Sequence, residues 1–127
     1  MATRFLLDSH VAFWWDQDRV RISRSVLRAV SDPDNEIFVS AVTLWELAIK
    51  KSTGKLFFGG SFTQLVSGHD FLELPVLGIH TDFIARLPLH HRDPFDRMLV
   101  AQAQAERLTL ITADQRLAAY DVSILRA

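Results

Sequence analysis

Glu36-Ile37-Phe38-Val39-Ser40-Ala41-Val42-Thr43-Leu44-Trp45-Glu46-Leu47-Ala48-Ile49-Lys50-Lys51 is the stretch on which the fold turns. It begins with Ile37-Phe38-Val39, a short apolar run of the composition found in buried strands. At Ser40 the period changes: Ala41, Leu44, Trp45, Ala48 and Ile49 recur at helical spacing, which predicts an amphipathic helix with that stripe turned inward. The Lys50-Lys51 end suits the negative pole of the helix, and Gly54 is placed to stop it in a left-handed cap. A buried strand feeding a helix is half of a parallel crossover.

The same step repeats on either side. Residues 4–7 form a short apolar run that stops at Asp8-Ser9-His10, where capping residues introduce a helical segment at 11–15 and another at 23–30. Asp32-Pro33-Asp34-Asn35 breaks that pattern before the second strand, 36–40. Ser61 opens a short helix after Gly59-Gly60, residues 71–74 make a strand that meets Pro75, and a helix over 79–86 follows. A long helix runs from Pro94 to Arg107 with proline at its first position, then a strand over 109–112 and a last one over 122–125. The reading is α/β: one domain over 1–127, a three-layer α/β/α sandwich around a central parallel sheet of four to five strands.

Composition narrows the function. With 127 residues, 49% of them hydrophobic, the chain can bury a core without staples. It has no cysteine, so disulfides, thiolate metal sites and cysteine nucleophiles are excluded and a reducing cytoplasm is the natural location. No apolar run approaches the ~20 residues of a membrane span, so no membrane role is expected. A net charge of −1 offers no global attraction to nucleic acid, although Arg86, Arg92 and Arg97 bracket a His90-His91 pair.

In open parallel sheets, ligands bind outside the carboxyl ends of the strands. Asp8 ends the first strand, Asp114 lies just past Thr112 at the end of a later one, and Asp96 stands in the first turn of the long helix. Glu46 falls at the edge of the inward stripe of its helix, and Asp96 shares a side with Val100 and Ala103, so both point toward protein. Convergent carboxylates repel one another unless a cation neutralises them, and oxygen ligands without thiolate favour Mg²⁺ or Mn²⁺. By the same logic, removing the charge of Asp114 should relieve repulsion.

Each acid also has a structural reading. Asp8 or Ser9 caps the first helix; Asp93 is an N-cap ahead of Pro94; Asp114 is a turn residue; Glu46 pairs with Lys50 four residues on. Ser9 and Thr112 are candidates to orient metal-bound water, and Arg97 stands beside Asp96 either as its support or as a surface ion-pair partner. His10, His90 and His91 lack zinc spacing and read as loop histidines. Trp14, Trp15, Phe57 and Phe58 are apolar surface candidates, since neighbouring tryptophans cannot both face the core from one helix.

Taken in order, Phe5-Leu6-Leu7-Asp8-Ser9-His10, Ser40-Ala41-Val42-Thr43-Leu44-Trp45-Glu46-Leu47, Asp93-Pro94-Phe95-Asp96-Arg97-Met98-Leu99-Val100-Ala101-Gln102-Ala103 and Leu110-Ile111-Thr112-Ala113-Asp114 form a specific set. With them the chain resembles the PIN-domain ribonucleases, in particular the toxin component of VapBC-type toxin-antitoxin pairs. The resemblance implies a Mg²⁺- or Mn²⁺-dependent endoribonuclease acting on RNA, a homodimer, and neutralisation by a cognate antitoxin protein. It puts Asp8, Glu46, Asp96 and Asp114 at the family's acidic positions, with Ser9 where threonine is common, and would make Asp93 a supporting carboxylate as well. A receiver-like Mg²⁺-binding signalling module is the alternative, but it resembles an acid pair after the first strand and a late lysine; here Asp8 stands alone and no lysine follows Lys55. A catalytically inactive PIN-like binding domain is the other.

Overall fold

The computed structural model describes residues 2–127. Strands β1 (Arg4–Leu7), β2 (Glu36–Ser40), β3 (Leu72–Leu74), β4 (Thr109–Thr112) and β5 (Ile124–Arg126) form one sheet in the order β3-β2-β1-β4-β5. Every neighbouring pair is parallel, with Leu6 opposite both Phe38 and Leu110. The order reverses beside β1, which makes the end of that strand the topological switch point. A receiver-like sheet runs 2-1-3-4-5, so the topology here is a different one.

Alternation along the strands sends side chains to two cores. Phe5, Leu7, Ile37, Val39 and Ile111 pack on one face, with Val11, Ala12 and Trp15 of α1 (Ser9–Gln17) and Val26 and Val30 of α2 (Arg24–Ser31). Leu6 and Leu110 face the other way, onto Leu99, Val100 and Ala103 of α6 (Pro94–Glu106). Both faces of the sheet are covered, as the apolar strands require.

The helix ends follow local chemistry. Asp8 caps α1 by accepting from the Val11 N–H, Ser23 caps α2, and Ser40 caps α3 (Ala41–Ser52). Gly54 takes φ 76°, with the Lys55 N–H bonded back to the Lys50 carbonyl, the expected left-handed stop. Helices α4 (Phe62–Ser67) and α5 (Gly78–Arg86) complete the set, and buried His80 of α5 ties to Glu106 at the end of α6 at 2.8 Å. Two short 3-10 turns, Arg19–Arg21 and Gln115–Ala119, have no clear sequence signature.

Helix α3 corrects one expectation. Its buried face is Val42, Thr43, Glu46 and Leu47, while Trp45 is 60% exposed and Ile49 is also on the outside. The apolar stripe therefore does not face the core. Trp45 instead meets Phe95 of α6 edge-on, with ring centroids 5.0 Å apart. Trp15 and Phe58 are buried rather than surface residues, leaving Trp14 partly covered and Phe57 fully out in solvent.

Candidate active site

Because all the strands run one way, Asp8 after β1, Ser40 at the end of β2 and Thr112 at the end of β4 share one rim of the sheet. The Asp8 N–H continues the ladder onto the Ile111 carbonyl at 3.0 Å, which fixes that carboxylate beside β4. Asp8 is almost wholly buried; one oxygen accepts from the Val11 N–H at 2.8 Å and the other from the Thr112 hydroxyl. Burial pushes its carboxyl above the ordinary range, against the pull of those bonds, with the Glu46 charge adding to the rise.

Glu46 is equally enclosed. Ser9 Oγ donates to its Oε1 at 2.6 Å and lies 3.2 Å from Thr43 Oγ1, while Lys50 Nζ reaches Glu46 Oε2 at 3.0 Å. The pairing with Lys50 and the burial on the inner side of α3 thus coexist. Ser9 and Thr112 are both buried, each holding one oxygen of an acid.

Asp96 and Asp114 stand opposite. Asp96, in the first turn of α6, is pushed up to about 7, first by burial and then by the charges of Asp93, Asp8, Glu46 and Asp114. The charges of all the other predicted acids thus add to the rise, behind burial. Asp114 goes the other way, to about 2, chiefly because Arg116 donates to both its oxygens. The repulsion is felt at Asp96, to which the Asp114 charge contributes, while Asp114 itself is held ionised by Arg116.

His91 lies in the loop before α6, as expected of a loop histidine, and it also stands among the acids. Its ring is buried, with Nε2 3.2 Å from Asp96 Oδ2 and 3.3 Å from Asp114 Oδ2. Among the described residues, His91, Asp96 and Asp114 bring potential metal-ligand atoms within 4.8 Å of one another.

The remaining predicted residues serve the frame. Asp93 is the N-cap of α6, its Oδ1 accepting from Phe95 N at 2.8 Å and Asp96 N at 3.3 Å. Arg97 does not pair with the acids: its guanidinium donates to the Pro88 carbonyl at 3.0 Å and to Tyr120 Oη at 3.3 Å. Beside the acids, Leu89, His90, His91, Arg92, Asp93 and Arg116 line a cleft of ≈ 360 Å³. The acids offer carboxylate oxygen and no thiolate, and a carboxyl raised by burial and then by its neighbours' charge is what a hard divalent cation would relieve.

Residues 5–123 match the family described as the PIN domain. The chain belongs to the PIN-domain family. It is 30% identical over 118 residues to Ribonuclease VapC22 of Mycobacterium tuberculosis, covering 91% of this chain and 90% of that protein. The fold is similar to VapBC2 from Rickettsia felis bound to a DNA fragment from their promoter, with TM-score 0.72 and 15% identity over 98% of this chain and 99% of that one. It is also similar to VapBC-5 from Mycobacterium tuberculosis, of the VapBC family of toxin-antitoxin systems, with TM-score 0.64, 24% identity and the same coverage, 98% and 99%. Membership of that family agrees with the expected three-layer architecture. No helix among the described residues is long and apolar enough to cross a membrane.

Proposed function

We propose that this PIN domain, one unit over 1–127, is a divalent-metal-dependent endoribonuclease and the toxin of a toxin-antitoxin pair, with Asp8, Glu46, Asp96 and Asp114 as its metal site. The observation that carries the reading is geometric: Asp8 follows β1 at the switch point of the sheet, Glu46 is buried inside α3, and His91 Nε2 stands 3.2 Å from Asp96 Oδ2 and 3.3 Å from Asp114 Oδ2. The likeness to Ribonuclease VapC22 supports the activity, and the VapBC complexes with the same fold support an antitoxin partner.

A bound Mg²⁺ or Mn²⁺ supplies an activated water and stabilises charge on the phosphodiester. The chain's residues prepare for it. Thr112 and the Val11 N–H orient Asp8, and Ser9 orients Glu46, so neither carboxylate has to be rearranged from solvent. Arg92, Arg116 and His90, around the cleft beside the acids, suit the phosphate backbone of an RNA strand leaving the site.

The antitoxin, in this reading, lays an apolar segment into the ≈ 380 Å³ cleft lined by His10, Phe13, Trp14, Leu47 and Leu56, and sets a basic side chain among the acids. The protein works in the cytoplasm, where its RNA substrate is, as a homodimer whose contact includes Phe57, 93% exposed. The test is cleavage of total RNA by the purified protein with and without Mn²⁺ or Mg²⁺, the products mapped at nucleotide resolution. Metal-dependent cuts are expected; RNA left intact with either metal overturns the reading. Growth arrest on expression alone, relieved by a small protein that binds it, tests the toxin role.

A further inference from the structure

His91 is held from three sides. Its backbone N–H donates to Tyr120 Oη at 3.0 Å, as does that of His90 at 3.2 Å, so a buried tyrosine from the far end of the chain grips the loop. Its Nδ1 accepts from the Asp93 N–H at 3.1 Å. A ring nitrogen that accepts from a backbone amide carries no hydrogen, so the proton of the neutral ring sits on Nε2. Nε2 is the atom that lies between Asp96 Oδ2 and Asp114 Oδ2.

The geometry points to His91 as a positioning residue: an N–H donor shared between Asp96 and Asp114 that sets the spacing of these two carboxylates for the metal. It acts through the acids and is not itself a ligand, because the nitrogen facing the site is the protonated one. The need for such a strap follows from the elements that carry the acids. Asp96 rides on α6, whereas Asp114 opens the 3-10 turn Gln115–Ala119, and it is pulled outward by the exposed Arg116. A donor between like charges holds them together where direct contact would repel. Groups that orient metal-binding side chains contribute about 10–100-fold to metal affinity when removed in known sites.

This inference rests on the acidic rim being a metal site, and the experiment separates the two. Mn²⁺ affinity of the full chain is measured by titration calorimetry for the parent protein and for His91→Ala, His91→Gln, His91→Asn and Tyr120→Phe. Gln keeps an N–H where Nε2 stands and lacks the acceptor for Asp93; Asn keeps that acceptor and lacks the reach to the acids. His91→Ala should bind Mn²⁺ about 10-fold more weakly or worse, in the range of such supporting groups. His91→Gln should recover most of that loss and His91→Asn little, with Tyr120→Phe intermediate.

Recovery by Asn instead of Gln would make His91 a loop brace and overturn the inference, as would an Ala variant that binds like the parent. No Mn²⁺ binding by the parent protein would overturn the metal site itself. The ¹⁵N spectrum of the imidazole gives a second readout. Nε2 should stay protonated when Mg²⁺ is added; loss of its proton on binding would make the ring a ligand and refute the positioning role.

Discussion

The acidic rim has two halves built on different principles. Asp8 and Glu46 stand where β1 ends and inside α3, sealed from solvent, and hydroxyls, a backbone N–H and a lysine already satisfy them. Asp96 and Asp114 stand at a helix start and a turn, half-buried, one pushed up to about 7 and the other drawn down to about 2. The first half is a rigid seat; the second is a charged gap bridged by a histidine. A cation shared by both halves would gain orientation from one and relief of repulsion from the other.

The largest expected effect tests whether the halves form one site. Asp8→Asn, Glu46→Gln, Asp96→Asn and Asp114→Asn should each lower the rate of RNA cleavage by about 100-fold or more, and Asp8→Asn with Asp96→Asn should cost little beyond either alone. Multiplying losses in the double variant would mean that the halves act separately. Stability comes next. Metal at about 100 times its Kd should add about 2.7 kcal/mol and raise the Tm by several degrees. Asp96→Asn should start from a higher metal-free Tm and gain less from Mn²⁺, whereas Asp114→Asn should start less high, since it relieves Asp96 of one charge but also loses the pairing with Arg116. Equal metal-induced shifts in the parent and Asp96→Asn would break the comparison.

A smaller effect should appear with pH. The Asp96 carboxyl is raised in the folded chain from 3.8 to about 7, so the protonated form favours folding. Its contribution is fully present below about 4 and is lost as pH rises through about 7, so metal-free stability from this group should fall across that window. Denaturant titrations of the parent and Asp96→Asn between pH 4 and 8 measure it, and parallel curves would contradict the burial and repulsion invoked. The smallest effect is expected for Arg92→Ala, at the exposed rim of the cleft beside the acids: a few-fold rise in KM for RNA from one lost phosphate contact, with kcat little changed. An unaltered KM would remove Arg92 from the RNA path.

What was legible in the sequence divides along the same line. β1, β2 and β4 match their apolar runs, and the caps at Asp8, Ser23, Ser40 and Asp93 sit where short polar side chains precede helical patterns. Local chemistry decides such features, so local reading finds them. The inward face of α3 was not legible, because it carries Thr43 and Glu46 toward a polar site, and hydrophobic periodicity selects the apolar face wherever it points. Trp45 finds its cover on Phe95, far along the chain. His91 was missed for a related reason: its surroundings are made by Tyr120 and Asp114, brought to it only by the fold.

The bond from Thr112 to Asp8 closes a separation of 104 residues, with the strand that carries Asp8 in the middle of the sheet. During synthesis Asp8 leaves the ribosome long before β4 exists, by roughly 5–20 seconds at about 5–20 residues per second. Through that interval β1 lacks one of its two neighbours, and both Thr112 and Asp114 are still unmade. A nascent chain therefore cannot assemble the rim early, however well its first helices have folded.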